Sequence, residues 1–206
     1  MKIAVLGFGN VGAQLGKLWA KKGHQVTAGL REGSKDRQKA TDAGVAVATP
    51  QDAAKNADVV VIALPWPAVE STVKSLPLDG KVVIDAVNPM DQNLSVLTLP
   101  AGSAGLSIAQ WAKGARVVKA FNTLFAQVLQ GGGKVAGAGV TVLIAGDDEA
   151  ANDTVAEIAA KAGLKPLKSG GLKLARYIEP VAGLNIALGY GRGLGTGIAP
   201  TWAGIA

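Results

Sequence analysis

Three glycines near the start of the chain have the spacing of a turn that binds phosphate groups. Gly7, Gly9 and Gly12 form a G-x-G-x-x-G pattern directly after an apolar run, residues 2–6. In such a turn the first glycine permits a tight bend, the second lets backbone N–H groups approach a pyrophosphate, and the third lets a helix pack against the strand. The N-terminus of that helix favours negative charge, so the stretch predicts a diphosphate site.

The residues around this turn strengthen the prediction, because the glycine spacing alone is a weak signal. A helix is predicted from Asn10 to Lys22, Gly23 ends it, and residues 25–28 predict a second strand. The order strand, glycine turn, helix, strand is typical of a βαβ unit that binds a dinucleotide. An ordinary turn between a strand and a helix is the alternative.

The residues after the second predicted strand bear on which dinucleotide binds. An acidic side chain near position 30 would accept from a ribose 2′-hydroxyl, but Leu30 and Arg31 stand there. A guanidinium suits a 2′-phosphate, and Ser34 and Lys35 add a donor and a positive charge. We therefore predict NADP rather than NAD. Glu32 turned toward the ribose, or a solvated loop of charges, are the alternatives.

Three further predicted strands, 58–64, 81–85 and 116–120, each lead into polar or aromatic residues. These are Pro65-Trp66-Pro67, Ala86-Val87-Asn88-Pro89-Met90 and Phe121-Asn122-Thr123. Ligands bind outside the carboxyl ends of strands in an open α/β sheet, so we expect these clusters at the rim that holds the diphosphate. Asn88 offers donors and acceptors, and Met90 offers an adaptable apolar surface to a flat ring. Trp66 is alternatively a wedge between surface and core.

Alternating strands and helices would hold these residues in place. Eight short runs are interpreted as strands, at residues 2–6, 25–28, 45–48, 58–64, 81–85, 116–120, 140–145 and 164–167. The run 58–64 is continuous and rich in β-branched residues, which is typical of a parallel strand covered on both faces. The alternation predicts an α/β fold with a mostly parallel sheet.

The connecting segments carry further signals. Helices are predicted over residues 35–43, 107–113, 147–162 and 171–188, with a short one after the capping residue Thr49. The acidic residues at 147–149 are interpreted as a cap that complements the helix dipole, in preference to a metal site. Residues 131–139 predict a mobile glycine-rich loop. The glycine-rich segment 189–202 either lets another backbone approach closely or folds over a ligand.

Composition excludes several kinds of chemistry. The 206 residues include no cysteine and one histidine, His24. Disulfides, thiolate metal sites and thiol nucleophiles are therefore excluded, and a zinc site or a Ser-His-Asp triad would depend on His24 alone. That residue lies in a predicted turn, so we expect it to be exposed, and we predict no metal site.

The net charge of +6 is dispersed, which favours attraction of a polyanionic small molecule over nucleic acid.

The two ends of the chain bear on location and assembly. Because the first strand begins at residue 2, we expect no cleavable signal peptide and a cytoplasmic protein. The apolar segment 181–206 is interrupted by Asn185, Arg192 and glycines, which predicts packed helix and loop rather than a membrane span. That segment is long for a monomer and predicts a homodimer, with packing inside one subunit as the alternative.

Four motifs, in this order, carry a family resemblance. GFGNVG at 7–12, ALPWPA at 63–68, KAFNT at 119–123 and AGDDE at 145–149 resemble those of the F420-dependent NADP oxidoreductases and of the related STEAP reductase domain. The resemblance implies a Rossmann-type, doubly wound sheet of about eight strands. Residues 1–168 would form the NADP-binding domain, and 169–206 a C-terminal helical segment that covers the active-site cleft without being an independent domain.

The resemblance implies an NADP-dependent oxidoreductase that transfers a hydride between NADP(H) and coenzyme F420 or a flavin, FMN or FAD. The predicted cofactor-binding residues are Gly7, Phe8, Gly9, Asn10, Val11, Gly12, Arg31, Ser34, Lys35, Leu64, Pro65, Trp66, Ala86 and Asn88. Positioning of the nicotinamide and the acceptor ring is assigned to Asn88, Pro89, Met90, Asn122 and Leu124. No residue is assigned as a catalytic acid or base, since hydride transfer depends mainly on positioning and exclusion of water.

Departures from the family pattern leave the acceptor open. Leu30 stands where a serine is usual, the loop with Asn88 and Met90 is more aliphatic in the deazaflavin enzymes, and KAFNT is closer to the metalloreductase branch. Reduction of a small carbonyl or imine is an alternative function; it would require a proton donor such as Tyr177, Asn122 or Lys119. A sensor that binds NADP(H) without catalysis is another.

Overall fold

One β-sheet runs through the structure, a computed structural model that describes residues 1–202 and 204. In chain order the strands are β1 (Lys2–Leu6), β2 (Gln25–Gly29), β3 (Ala46–Ala48), β4 (Val59–Ile62), β5 (Val82–Asp85), β6 (Arg116–Lys119), β7 (Lys134–Val135), β8 (Ala138–Gly139), β9 (Thr141–Gly146) and β10 (Lys165–Gly170). Eight of them form the sheet, and β7 and β8 form a separate hairpin.

Helices cover both faces of this sheet. They are α1 (Asn10–Lys21), α2 (Asp36–Asp42), α3 (Pro50–Lys55), α4 (Val69–Lys74), α5 (Ala104–Trp111), α6 (Ala126–Gln130), α7 (Glu149–Lys161) and α8 (Ala175–Ile186). Short 3₁₀ turns occur at Trp66–Ala68 and Leu172–Leu174, and a π-helical turn, Ala187–Gly191, continues α8. Every residue of β4 is buried because apolar side chains pack on the sheet from both sides.

The strand order is β10-β9-β6-β5-β4-β1-β2-β3. All neighbours in the sheet are parallel except β6 and β9, which are antiparallel. The predicted α/β fold with a mostly parallel, doubly wound sheet of eight strands is therefore confirmed. The chain proceeds from β1 toward one edge and from β4 toward the other, so a crevice opens at the carboxyl ends of β1 and β4.

Side-chain caps set the start of three helices. Thr49 Oγ1 accepts from the Asp52 N–H at 3.1 Å, and Asp148 Oδ1 accepts from the Ala151 N–H at 2.7 Å, so both predicted caps are confirmed. Ser103 Oγ accepts from the Leu106 N–H at 3.1 Å, and α5 therefore begins at Ala104 rather than at the predicted residue 107.

Three other expectations were wrong. His24 is buried, with 7% of its surface exposed, and neither ring nitrogen has a hydrogen-bond partner in the described part of the chain. Residues 131–139, predicted to be a glycine-rich loop, contain the β7–β8 hairpin. The helix predicted over 171–188 is divided into a 3₁₀ turn, α8 and the π-helical turn. The division of the chain at residue 168 stays a prediction; that residue lies within β10. Within residues 1–202 and 204, no helix combines the length and apolar character that crossing a bilayer requires.

Candidate active site

The glycine turn lies between β1 and α1, and its three glycines meet different surroundings. Gly7 has φ +89°, and a Cβ there would lie 2.5 Å from the Ala63 carbonyl oxygen. A Cβ on Gly12 would lie 2.0 Å from the Gly7 carbonyl oxygen. A Cβ on Gly9 would meet nothing within 4 Å. Gly7 and Gly12 are thus required by the fold, whereas Gly9 borders open space at the N-terminus of α1, where a diphosphate fits.

Several positive side chains follow β2, and one of them reaches the glycine turn. Lys39, on α2, places Nζ 3.2 Å from the carbonyl oxygen of Gly9. Arg31 and Lys35 are exposed in the loop between β2 and α2, and Ser34 Oγ accepts from the Asp36 N–H at 3.3 Å. Glu32, the acidic residue of the same loop, is also exposed. The donor set suits an anionic ligand at this end of the crevice.

A cavity of about 190 Å³ opens next to the glycine turn. Its lining residues are Asn10, Val11, Ala86, Asn88, Phe121, Asn122, Thr123, Leu124, Phe125, Ala126, Gln127, Ala182, Asn185, Ile186 and Tyr190. Four parts of the chain contribute: the start of α1, the segments after β5 and β6, and α8 with its π-helical turn. The first two residues of α1 therefore belong both to the glycine turn and to the cavity.

Asparagine side chains hold the polar wall of this cavity together. Asn88 Nδ2 donates to the Asn122 carbonyl at 2.8 Å, and Asn122 Nδ2 donates to Asn88 Oδ1 at 3.0 Å. Asn185 Nδ2 donates to the Thr123 carbonyl at 3.1 Å. Asn122 Oδ1 is buried and has no partner among the described residues. This oxygen therefore lacks the hydrogen bond that a buried acceptor normally makes.

Phe121 produces the bend that brings Asn122 to the cavity. Its φ is +65°, a left-handed conformation that a bulky residue rarely adopts. Its buried ring packs edge-to-face against Trp19 with a centroid distance of 5.5 Å. The ring packing offsets the backbone strain, which lies immediately after β6 at the cavity wall.

The structure brings some of the predicted site residues together and separates others. Those that line the cavity are Asn10, Val11, Ala86, Asn88, Asn122 and Leu124. Leu64 and Trp66 pack on the other face of the sheet, where Trp66 lies 5.6 Å from Trp111 between ring centroids. Leu64 Cδ2 also lies 3.0 Å from the position of a Cβ on Gly7, so Leu64 borders the glycine turn. Pro65 is exposed, Pro89 is buried, and Met90 forms a bridge with Val96. The Phe8 side chain is buried in the core, so only its backbone can contact a phosphate.

Sequence reasoning missed several residues of this region. Lys39 lies on α2, and its reach to Gly9 depends on how α2 packs beside α1. Phe125 and Tyr190 form an edge-to-face pair, 5.6 Å between centroids, at the cavity. From the sequence, Asn185 is predicted only to interrupt the apolar segment 181–206, not to line a site. A π-helical turn often marks a functional position, but the glycines around Tyr190 gave no helical signal to find it.

Comparison with known proteins identifies a family that covers most of the chain. Residues 2–89 match the family described as NADP oxidoreductase, coenzyme F420-dependent. An F420-dependent NADP reductase of Methanothermobacter thermautotrophicus is 34% identical over 208 residues, covering 91% of this chain and 89% of that protein. An F420-dependent NADP reductase of Methanocaldococcus jannaschii is 30% identical over 222 residues, covering 98% of both.

The solved structures that match include one that carries the same family name and others that share the fold alone. A crystallised candidate F420-dependent NADP reductase from an Arthrobacter species superposes with a TM-score of 0.89 at 28% identity, covering 98% of this chain and 99% of that one. A reductive aminase from Aspergillus terreus, crystallised with NADPH, has a TM-score of 0.67 and 19% identity, covering 93% of this chain and 62% of that one. At that identity the aminase supports the fold alone.

Proposed function

This chain belongs to the family of coenzyme F420-dependent NADP oxidoreductases, and from that membership we propose that it transfers a hydride between NADP(H) and a deazaflavin of the F420 type. One observation carries the assignment to this site: Asn10 and Val11 belong both to the phosphate-binding turn and to the cavity wall. A dinucleotide with its diphosphate on α1 would therefore extend directly into the cavity.

The donor end fits NADP(H) by charge. Open space at Gly9 lets the diphosphate approach the backbone, and the cations at Arg31, Lys35 and Lys39 would hold the diphosphate and the 2′-phosphate. Three positive side chains around one loop are more than an NAD site needs, because a ribose 2′-hydroxyl carries no charge. This supports the choice of NADP made from the sequence.

The acceptor end fits two stacked rings by positioning. When bound, the reduced nicotinamide supplies a hydride and the deazaflavin ring accepts it. Asn122, at the cavity wall, would position the nicotinamide ring, and Asn88 holds Asn122 in place. Leu124 and Ile186 exclude water from the gap. Of the described residues that line the cavity, Tyr190 alone has an ionisable side chain, which suits a reaction controlled by orientation.

A turnover assay tests this function. Purified protein is mixed with NADPH and, in separate reactions, with coenzyme F420, FMN, FAD, a small ketone and a cyclic imine, while NADPH absorbance is followed. We expect rapid loss with F420 and slow or no loss with the others. Binding of NADPH without turnover of any acceptor would contradict the proposal in favour of a sensor. Turnover of ketone or imine, but not of F420, would contradict the acceptor.

We also propose a homodimer that packs through α8. Tyr177 and Leu184 on this helix are each 61% exposed, and Tyr177 lines an apolar groove together with Leu167, Ile178 and Trp202. Large exposed apolar side chains next to such a groove are typical of an interface. Sedimentation should give a dimer for the wild type and a monomer for Tyr177→Lys. Ala46→Lys, on the edge strand at the far end of the sheet, should remain dimeric. A monomeric wild type at micromolar concentration would contradict this assembly.

We place the reaction in the cytoplasm, with small molecules rather than nucleic acid as partners. Fractionation of the producing cells tests the location, and recovery of the protein with the membrane pellet would contradict it. Retention on immobilised DNA at physiological salt would contradict the exclusion of nucleic acid.

A further inference from the structure

Three charged side chains meet below the cavity and are hidden from solvent. They are Asp85 at the end of β5, Lys119 at the end of β6, and Glu179 on α8, and none is more than 2% exposed. Asp85 and Lys119 are register partners on neighbouring strands, so their side chains lie on the same face. Lys119 Nζ is 2.9 Å from Asp85 Oδ2 and 2.9 Å from Glu179 Oε1.

Each polar group of this cluster has partners. Lys119 Nζ also donates to the Val87 carbonyl at 2.6 Å, and Asp85 Oδ1 accepts from the Val87 N–H at 2.9 Å. Glu179 accepts from the N–H groups of Ala104 and Gly105, at 3.0 and 3.1 Å, where α5 begins. Burial raises the pKa of Asp85, and Lys119 opposes that rise. A network this complete loses stability if one partner is removed and a buried charge is left uncompensated.

The cluster does not line the cavity but is connected to three of its walls. Both the N–H and the carbonyl of Val87 are held by the cluster, and the next residue is Asn88, which pairs with Asn122. Lys119 itself stands two residues before Phe121, where the chain bends into the cavity. Glu179 holds α8, which carries Asn185 toward the Thr123 carbonyl.

We propose that Lys119 is a positioning residue for hydride transfer. With Asp85 and Glu179 it fixes the loop after β5, the end of β6 and α8 relative to one another, and so sets the gap in which the two rings lie. The inference rests on the proposed function. This role explains why charged side chains occupy a buried position. Apolar residues of similar volume would stabilise the core at least as well, but they would form no directional hydrogen bonds to a loop backbone.

The test separates ring positioning from NADPH binding and from folding. Lys119→Met removes the ammonium at nearly constant volume, and Glu179→Gln keeps the shape while removing one charge. Lys168→Met is the matched control, because Lys168 also bridges two carboxylates, Glu149 and Asp153, but on the surface. For each protein the thermal midpoint, the Kd for NADPH and the single-turnover rate of hydride transfer to F420 are measured.

We expect Lys119→Met to lower the single-turnover rate about 10- to 100-fold, because a misplacement of about 1 Å is enough for such a loss. Glu179→Gln should lower the rate less, about 3- to 10-fold. In both, the Kd for NADPH should change less than about 2-fold, because the cluster's hydrogen bonds go to Val87 and to the start of α5 rather than to the glycine turn. Lys168→Met should leave the rate and the Kd unchanged.

Each other outcome has a defined meaning. Folded variants that transfer hydride at the wild-type rate would overturn the positioning role. A Kd for NADPH that rises in proportion to the loss of rate would also overturn it, in favour of a general structural effect. If Lys119→Met does not fold, Glu179→Gln decides, and failure of both to fold would assign the cluster to stability alone. Inactive wild type with F420 would overturn the proposed function and this inference with it, whereas active wild type and unaffected variants would overturn the inference alone.

Discussion

The glycine turn at residues 7–12 and the cavity beside Asn88 share one rim of the sheet, but different interactions hold them in place. The turn is six consecutive residues, its shape follows from backbone contacts of Gly7 and Gly12, and the charges around it are largely exposed. The cavity is assembled from segments more than 150 residues apart, and side-chain hydrogen bonds of Asn88, Asn122 and Asn185 join its walls.

This difference predicts how each region responds to mutation. A Cβ added at Gly7 or Gly12 overlaps backbone atoms, and no side-chain movement can relieve that overlap. The exposed cations act separately from one another, and solvent screens their charges. In the cavity, loss of one buried hydrogen bond leaves its partner unpaired and displaces neighbours. Donor affinity should therefore depend on the turn and its charges, and turnover on the cavity.

The largest effect should come from Gly12→Ala. Its Cβ would lie 2.0 Å from a backbone oxygen, so we expect a loss of about 3 kcal/mol in the free energy of unfolding and no measurable NADPH binding. Gly9→Ala is the control: its Cβ meets no protein atom, so the fold should persist while NADPH affinity falls. Denaturant titration and calorimetry measure both. Normal NADPH binding by Gly12→Ala would contradict the account of the turn.

Arg31→Ala should have the next largest effect, confined to the donor end. Loss of a charge-assisted contact to the 2′-phosphate should raise the Kd for NADPH about 10- to 100-fold and leave that for NADH unchanged. Arg116→Ala removes the same charge at the opposite rim, near Asp148, and should change neither Kd. Equal losses of NADPH and NADH affinity in Arg31→Ala would show that the assigned role is wrong.

Asn122→Ala should affect turnover rather than donor binding. It removes the hydrogen bond that the Asn122 amide donates to Asn88 Oδ1, which joins two parts of the cavity wall. We expect kcat with F420 to fall about 10-fold, corresponding to about 1.4 kcal/mol, with the Kd for NADPH within about 2-fold of the wild-type value. Asn93→Ala, in an exposed loop, should match wild type. A change in Kd as large as that in kcat would remove the distinction between the two regions.

The smallest effect should come from His24, which belongs to neither region. Burial lowers the pKa of His24 below its ordinary 6.5, and the N-terminal ammonium and Lys161 act in the same direction. The unfolded chain therefore binds a proton at His24 more tightly than the folded chain does. The free energy of unfolding should keep its full value above about pH 6.5 and should fall as the pH drops below that value. Thermal melts across this window should show a smaller decline in His24→Leu. An equal decline in both proteins would contradict the assignment.

Local signals predicted most of the fold and the donor end. The glycine spacing, the β-branched run at 58–64 and the caps at Thr49 and Asp148 each depend on a few neighbouring residues, and the structure has all of them. The start of α5 was missed because glycines around Ser103 hid its cap, and the antiparallel β9 was not anticipated because strand direction depends on pairing with β6.

The sequence by itself therefore determined the βαβ unit, the glycine turn and the cations that follow β2, because these depend on backbone conformation and residue type over short stretches. Only the tertiary structure decided that His24 is buried, that Lys39 reaches Gly9, and that Asp85, Lys119 and Glu179 form one ion cluster. The physical reason is distance along the chain: burial and charge pairing are set by elements that meet only after folding, so no local pattern specifies them.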